Sequence, residues 1–251
     1  MQSVRSPLLN PYTQITHAFS TKEDGFSLKP FSQNNLAYHV NDNPKHVFQN
    51  HQHFALYLQY DLKKLVHMNQ VHGNSISIID KSTDLNHIPK CDALITQEKN
   101  IPLMVMVADC IPILLYDPIK EIIAVVHAGR AGVFNKILIK TINKMTSNFK
   151  TDAKDLLVVL GPSIKECCYD VDMQIKVEAI KHNYGYSINE KKDSYYLDLV
   201  SIIKEQLKEL HIENKNIEIS NYCTSCNNKL FFSYRADKNI TGRFCGLLML
   251  R

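Results

Sequence analysis

Two histidines in this chain stand at the ends of apolar runs and are followed at once by small residues. His72 lies in NQVHGN, and His127 ends the run IIAVVH before Ala128 and Gly129. Glycine and alanine leave room for a bulky ligand beside the imidazole ring. A third segment, MVMVADCIPILLYDP, places Cys110 directly after another apolar run. The three segments therefore offer two imidazoles and one thiolate, each at the end of a predicted strand.

One cysteine and two histidines are a known ligand set for catalytic zinc, in which the fourth position stays open for water or substrate. The ligands would be 38 residues apart (72 to 110) and 17 residues apart (110 to 127), which is too far for a zinc finger. Such distances suit ligands that separate strands bring together in an enzyme. The same residues also fit a metal-free hydrolase with Cys110 as nucleophile and His127 as base.

An alternation of strands and helices must position these residues. Short runs rich in Val, Ile and Leu predict strands that are covered on both faces. Asn43 is the predicted N-cap of the first helix, because Pro44 suits the first helical position. The predicted strands are 65–69, 75–79, 102–108, 112–116, 121–127, 156–160 and 246–250; the predicted helices are 44–60, 134–149, 171–183 and 198–210. We expect residues 183–194 to form a surface loop and residues 1–251 to form a single α/β domain.

Composition narrows the classes of function. The net charge of +4 comes from scattered lysines without a basic stripe, so nucleic acid is not an expected partner. No apolar stretch is long enough to span a bilayer, so no membrane association is expected. The seven cysteines are odd in number and no signal peptide precedes them. We therefore expect reduced thiols and a cytoplasmic location.

The order of several motifs along the chain points to a known family, which the spacing of the three candidate ligands alone does not. The chain resembles the YfiH/YlmD-like laccase-domain family, once called multicopper polyphenol oxidases, which includes the mammalian protein FAMIN and a bacterial branch named peptidoglycan editing factor. The matching segments are AFSTKEDGFS, NNLAYHVNDNP, NQVHGNSI, CDALIT, ADCIPILLYDP, AVVHAGRAG, GPSIKECCYDV, YYLDL and CTSCNNKLFFSYRADKNITGR. The resemblance implies a single-domain α/β sandwich of the YfiH-like type, related to the catalytic domain of cytotoxic necrotizing factor.

The resemblance also implies a metal site and a chemistry. Its metal ligands fall on His72, Cys110 and His127, with zinc as the expected ion and copper as the alternative. The implied activity is phosphorolysis of adenosine, inosine, guanosine and methylthioadenosine, together with hydrolytic deamination of adenosine. Purine nucleosides and phosphate are therefore the expected partners, and the sequence indicates no oligomeric state. Deamination suits zinc, which lowers the pKa of a bound water from about 15.7 to about 7.

Phosphorolysis additionally needs cationic donors that hold phosphate. Arginine suits this role because its planar fork donates two parallel hydrogen bonds. Arg243 in TGR is the expected clamp, whereas Arg235 in FFSYRAD is a candidate for an ion pair inside the fold. The usual family segment reads His-Ala-Gly-Trp-Arg-Gly; this chain reads HAGRAG there, which displaces Arg130 by one residue, and it contains no tryptophan.

Further candidates come from polar residues in the matching segments. The substrate-site candidates are Asn35, His39, Gln70 and Arg130 beside Arg243, and the catalytic candidates are Cys110, His127 and Asp109. Asp109 precedes a metal ligand, so on a regular strand its side chain would point to the opposite face and orient that ligand indirectly.

Two alternative functions use the same three ligands. One is a peptidoglycan-precursor editing amidohydrolase, and the other is a copper-dependent polyphenol oxidase. A multicopper oxidase usually shows repeated His-x-His pairs, whereas this chain has only His51-Gln52-His53 on a predicted helix, where both rings are expected to be solvated. Cys167 and Cys168 are expected to be structural. Cys223 and Cys226 form a CxxC motif without a second one, so a complete structural zinc site is not expected.

Overall fold

Two large β-sheets form the centre of the molecule in the computed structural model, which describes residues 2–191 and 194–251. The five-stranded sheet has the order β1 (Ser3–Val4), β2 (Ile15–Ser20), β14 (Phe244–Leu250), β6 (Leu103–Val107) and β3 (Val66–His67). The six-stranded sheet has the order β13 (Ile217–Ile219), β9 (Leu157–Leu160), β7 (Ile111–Asp117), β8 (Ile122–Ala128), β5 (Ala93–Thr96) and β4 (Ile76–Ile79). A small third sheet has the order β10 (Asp170–Val171), β12 (Ser194–Leu197) and β11 (Ile188–Lys191).

Helices cover the outer faces of both large sheets. They are α1 (Pro44–Leu58), α2 (Arg130–Phe134), α3 (Ile137–Phe149), α4 (Met173–Lys181) and α5 (Leu199–Glu209). The predicted cap of α1 is confirmed, because the side chain of Asn43 accepts a hydrogen bond from the Lys45 N–H at 3.0 Å. Within the described residues, no helix has the length and apolar character needed to cross a membrane.

Strand β7 shows how the layers are built. Its side chains alternate in direction, so Ile113 and Leu115 pack towards α3 and α5 while Leu114 and Tyr116 pack towards the five-stranded sheet. On the far side of that sheet, α1 packs through Phe54 and other apolar residues. The result is a four-layer arrangement of helix, sheet, sheet and helix, which confirms the expected α/β sandwich and the strands covered on both faces.

Strand pairing brings the chemistry-bearing residues to one edge. Strands β7 and β8 are antiparallel, with Pro112 opposite His127, so the start of β7 and the end of β8 meet. Cys110 lies just before β7 and therefore falls beside His127. Strand β5 pairs with β8 from the other side, with Ala93 opposite Val126, which brings Asp92 next to His127 as well.

Two local expectations were wrong. The predicted loop 183–194 contains most of a hairpin in which β11 pairs antiparallel with β12 (residues 192 and 193 lie outside the described part of the chain). Its first strand reads INEK and is half exposed, so it lacks the apolar pattern that marks the other strands. His51 is buried instead of solvated, and its Nε2 lies 2.8 Å from the Leu36 carbonyl oxygen.

Candidate metal centre

His72, Cys110 and His127 come together at the edge where β7 and β8 meet. One candidate ligand atom from each lies within 4.8 Å of the other two. The two imidazole rings have centroids 4.7 Å apart and are nearly perpendicular, at 87°. His127 is buried, Cys110 is half-buried and His72 is exposed. The ligand set is therefore closed on the His127 side and open on the His72 side, as a catalytic metal site requires.

Asp92 supports this ligand set from behind. Its carboxylate accepts hydrogen bonds from His127 Nδ1 at 2.8 Å, from the His72 N–H at 3.0 Å and from the Gly73 N–H at 2.8 Å. Because an ionised carboxylate only accepts, Nδ1 of His127 carries a proton, and Nε2 is the nitrogen available to a metal. One fully buried residue thus fixes both the ring of His127 and the loop that carries His72.

Sequence reasoning did not single out Asp92, although its segment CDALIT was among the matching motifs. The sequence signal that could have identified Asp92 is an aspartate inside an otherwise apolar run. A buried carboxylate needs hydrogen-bond donors, so such an aspartate indicates a polar partner in the core. Only the register of β5 against β8 identifies that partner as His127.

The electrostatics favour an ionised thiol. Burial by itself would raise the pKa of Cys110, but the neighbouring His127 and His72 outweigh it and lower this pKa to about 6. Burial opposes a charge on His127 too, yet Cys110 and Asp92 raise the His127 pKa to about 9. Without metal, the pair at neutral pH is a thiolate facing an imidazolium. A cation that replaces the Nε2 proton then meets one soft sulfur and two imidazole nitrogens, a donor set that fits zinc or copper.

Gly129 keeps the space among the ligands clear. A Cβ at this position would lie 3.1 Å from Cys110 Sγ, 3.4 Å from His72 Cδ2 and 3.5 Å from His127 Cε1. Such an atom would intrude on the volume that a metal and its ligands occupy. Ala128 does not contribute, because its side chain is fully buried in the core between β8 and the helices. Ala128 and Gly129 were both expected to keep the approach to the metal open, and of the two only Gly129 does so.

The loop that carries His72 is held from a second direction by α2. A Cβ on Gly132 of α2 would lie only 2.9 Å from the Gly73 carbonyl oxygen, so glycine permits close packing of the helix on the loop. His72 itself has a φ of 57°, in the left-handed region. A non-glycine residue there costs about 1–3 kcal/mol, which the surrounding contacts must offset. These contacts thus hold the backbone from which the His72 side chain projects in a strained conformation.

A cavity of about 700 Å³ opens over the three ligands. This volume lies in the range of small-molecule sites and suits a molecule the size of a nucleoside. The wall is rich in groups that can carry positive charge or donate hydrogen bonds. Beside the ligands, the lining includes His39, Gln70, Asp109, Arg130, Arg235 and Arg243.

Two of the three arginines in this wall are neutralised by carboxylates. Arg130 forms an ion pair with Glu178, and Arg235 forms one with Asp170. Arg235 was expected to form an ion pair inside the fold; it does form one, but the pair lies at the surface, with side chains 37% and 59% exposed. Both guanidinium groups are therefore partly committed to contacts within the protein.

Arg243 is different. Its Nη1 donates to the backbone carbonyls of Thr241 at 2.9 Å and Gly242 at 3.0 Å, and its guanidinium lies 5.9 Å from the centre of the Tyr234 ring. Within residues 2–191 and 194–251, it has no carboxylate partner within ion-pair distance. Arg243 therefore brings to the cavity a positive charge that no ion pair with a carboxylate neutralises.

Comparison with known proteins agrees with this architecture. The family described as multi-copper polyphenol oxidoreductase laccase matches residues 16–251. The chain belongs to this family. Purine nucleoside phosphorylase YlmD of Bacillus subtilis is 30% identical over 248 residues, which cover 95% of this chain and 89% of the relative. A purine nucleoside phosphorylase of Corynebacterium glutamicum is 31% identical over 237 residues, which cover 94% of each protein.

Solved structures of this laccase family confirm the fold. YfiH of Bacillus licheniformis superimposes with a TM-score of 0.91 at 30% identity, covering 96% of this chain and 94% of its own. YlmD of Geobacillus stearothermophilus gives a TM-score of 0.91 at 29% identity, covering 100% of this chain and 98% of its own. The resemblance inferred from the motifs is thereby confirmed at full length.

Asn35, a substrate-site candidate in this laccase-family chain, lies behind Arg243 and is fully buried. Its Oδ1 accepts from the Arg243 N–H at 2.9 Å and the Ala37 N–H at 3.0 Å. Its Nδ2 donates to the Ala37 carbonyl at 3.0 Å and to Asp42 Oδ2 at 2.9 Å. These contacts engage both ends of the amide, so Asn35 positions the backbone of Arg243.

Gln70 and His39 both line the cavity. Gln70 is held at both ends by Met106, donating from Nε2 to its carbonyl at 2.8 Å and accepting from its N–H at 3.0 Å. His39 is exposed on one side of the wall. Partial burial of its ring, followed by the nearby Arg243, lowers the pKa of His39.

Asp109 lies in a turn before β7, with a φ of 91°, so the geometry of a regular strand does not apply to it. Its Oδ1 accepts from Thr224 Oγ1 at 2.6 Å, and its Oδ2 accepts from the Arg235 N–H at 2.8 Å. Its carbonyl accepts from the Ile164 N–H at 2.9 Å. These contacts hold the residue next to Cys110, which suits a positioning role for Asp109 more than proton transfer.

Proposed function

We propose that this chain is a zinc-dependent purine nucleoside phosphorylase that cleaves adenosine, inosine, guanosine and methylthioadenosine and also deaminates adenosine, with residues 1–251 acting as one catalytic domain. The observation that carries the proposal is that an open metal-ligand set and the guanidinium of Arg243, which has no carboxylate ion pair within the described residues, meet in one cavity. The relatives from Bacillus subtilis and Corynebacterium glutamicum, both named purine nucleoside phosphorylase, support the same activity.

Phosphate binding is the part of the reaction that Arg243 serves. Phosphorolysis transfers a sugar from the purine to phosphate, so negative charge must be held beside the sugar while the base leaves. Nη1 of Arg243 already donates to the Thr241 and Gly242 carbonyls, so its Nε and Nη2 groups are the ones that can give two parallel hydrogen bonds to phosphate oxygens. The hydrogen bond from the Arg243 N–H to Asn35 fixes the backbone from which this side chain projects. The donor is therefore organised before substrate binds.

The three metal ligands are also held in place before substrate binds. Asp92 selects the tautomer of His127 and fixes the loop of His72, while the depressed pKa of Cys110 supplies a thiolate at neutral pH. When bound, zinc supplies Lewis acidity at the open side of this set, a property that serves both nucleoside cleavage and deamination. The exposed His72 side faces the cavity, so a nucleoside and the metal share one space.

The donor groups give less support to a multicopper oxidase. Such an enzyme combines a blue copper with a histidine-rich cluster, whereas in the described part of the chain the metal-ligand group that contains histidine is His72, Cys110 and His127. The His-x-His pair lies on α1, where His51 Nε2 is 2.8 Å from the Leu36 carbonyl oxygen and His53 Nδ1 is 3.1 Å from the Asp24 carbonyl oxygen. Whether copper bound by the same three ligands oxidises phenols is tested separately with copper-loaded protein.

The deciding experiment is product analysis after incubation of zinc-loaded protein with each of the four nucleosides, with and without phosphate. The proposal predicts a free purine base and a phosphorylated sugar that form only with phosphate, and inosine from adenosine in either condition. Cleavage of a peptidoglycan precursor without turnover of any nucleoside would instead identify an editing amidohydrolase. Oxidation of a phenol by copper-loaded protein alone would identify a polyphenol oxidase.

A further inference from the structure

A second group of metal-binding side chains lies outside the cavity. The four Sγ atoms of Cys167, Cys168, Cys223 and Cys226 all lie within 4.8 Å of one another, and all four cysteines are free. We call this group the four-cysteine cluster. The CxxC motif, for which the sequence predicted no partner pair, thus has a second pair beside it, formed by two adjacent cysteines. Neither pair contributes to the lining of the cavity.

The sulfur–sulfur distances have the size expected around one tetrahedral ion. With metal–sulfur bonds of about 2.3 Å, the edge of a zinc tetrathiolate measures about 3.8 Å. Cys167 Sγ lies 3.7 Å from Cys168 Sγ and 3.7 Å from Cys226 Sγ, while Cys168 and Cys226 are 3.3 Å apart. These separations far exceed a disulfide bond of about 2.05 Å. Small shifts of the side chains would complete the tetrahedron.

The surroundings of the cluster suit thiolates bound to a cation. Backbone N–H groups of Cys226 and Lys165 face the sulfur of Cys223. Such hydrogen bonds to ligand sulfurs are typical of metal sites. Four thiolates held this close together would repel one another unless a cation lay among them.

Lys165 gives an independent indication. Its Nζ is buried and has no hydrogen-bond partner within the described residues, which is costly for an ammonium group. A divalent ion held by four thiolates has a net charge of −2, and the ammonium group of Lys165 would offset half of that charge.

We propose that the four-cysteine cluster binds one zinc ion as a structural site, separate from the open centre at His72, Cys110 and His127. All four tetrahedral positions would be filled by protein sulfurs, so this ion has no open position for substrate. Such closed sites contribute to folding instead of chemistry.

The position of the cluster indicates what this second ion would stabilise. It joins the segment after β9 to the segment after β13, where Ser163 forms a parallel bridge with Cys223. The residues that follow these two, Ile164 and Thr224, hold Asp109 through hydrogen bonds of 2.9 and 2.6 Å. A metal in the cluster would therefore brace the turn that presents Cys110 to the cavity.

Zinc content of the purified chain, measured by mass spectrometry of the metal, tests the proposal without any dependence on nucleoside turnover. We expect two zinc ions per wild-type chain and one in Cys110→Ala, which keeps the cluster intact. The double variant Cys167→Ser, Cys226→Ser should also hold one, whereas Cys245→Ala, a buried cysteine outside both sites, should hold two. Equal zinc content in the double variant and the wild type would overturn the proposal.

A second measurement covers the case in which the double variant does not fold. Cobalt added to zinc-stripped Cys110→Ala should produce the intense sulfur-to-cobalt absorption of four thiolates, and the four cysteines should become protected from alkylation. Absence of that absorption in the folded Cys110→Ala chain overturns the proposal, as does a mass lower by two hydrogens, which would show a disulfide in place of the metal.

Discussion

Replacement of Asp92 by asparagine tests how the metal centre is built, because it changes one charged group and almost no volume. The carboxylate accepts hydrogen bonds from His127 Nδ1, the His72 N–H and the Gly73 N–H. Asparagine has one acceptor oxygen and one donor group. If the oxygen keeps the two contacts made by Oδ1, the amide N–H₂ must face the Gly73 N–H, and two donors then oppose each other in a buried place.

The magnitude follows from these contacts. A buried donor left without a partner costs about 1–3 kcal/mol, and loss of a carboxylate that orients a histidine ligand typically weakens metal binding about 10–100-fold. We therefore expect Asp92→Asn to raise the free zinc concentration needed for half-maximal phosphorolysis by about 10–100-fold. Chelator-buffered zinc sets that concentration, and Asp92→Asn leaves the four-cysteine cluster unchanged, so the difference from the wild type reports the centre at His72, Cys110 and His127.

Asp117→Asn is the matched control for this experiment. Asp117 is also fully buried and accepts from the N–H groups of Ile119 and Lys120, but it lies at the opposite end of β7 from Cys110. It should lower the free energy of unfolding in urea without a change in zinc dependence. Our reasoning is refuted if Asp92→Asn and Asp117→Asn show the same zinc dependence as the wild type.

Three further predictions concern other groups. Cys110→Ala should abolish phosphorolysis while circular dichroism and the melting temperature stay close to wild type; a chain that unfolds would show a structural cysteine instead. Arg243→Ala should slow phosphorolysis by about 30–1000-fold, equivalent to about 2–4 kcal/mol, and slow deamination much less, whereas a parallel fall of both rates and of the melting temperature contradicts a phosphate clamp. Burial, aided by Arg5, lowers the pKa of His17 to about 4. As the pH falls, the unfolded chain therefore binds a proton at this histidine before the folded chain does. His17 thus contributes up to about 3 kcal/mol of stability above pH 6.5, and this contribution is lost as the pH falls from 6.5 to 4. In urea unfolding, His17→Gln should therefore show a weaker dependence on pH between 6.5 and 4 than the wild type, and equal slopes would contradict this account.

The sequence was informative where the signal is local. The apolar run before His127 marked the end of β8, and β7 and β8 appear close to their predicted bounds. His72, also expected at a strand end, lies in a loop five residues after the end of β3. The N-cap at Asn43 also follows from adjacent residues alone. These features depend on side chains close in the chain, so a periodicity or a neighbouring glycine reveals them.

Features that depend on register or distant pairing escaped prediction. Asp92 matters because β5 places it beside His127, and nothing in its own segment shows that pairing. The four-cysteine cluster escaped because its first pair is adjacent in the chain and does not form a second CxxC. Arg243 was the expected clamp, but what distinguishes it from Arg130 and Arg235 emerges only once Glu178 and Asp170 are seen to pair with those two arginines.

The central claim is that a metal held by His72, Cys110 and His127 is required for nucleoside cleavage. The most direct test is the phosphate-dependent release of hypoxanthine from inosine by zinc-stripped protein as zinc is restored in chelator buffers. The account predicts no release without zinc, full recovery in the wild type and no recovery in Cys110→Ala at any zinc concentration. Full activity of the stripped wild type, or recovery in Cys110→Ala, would contradict it.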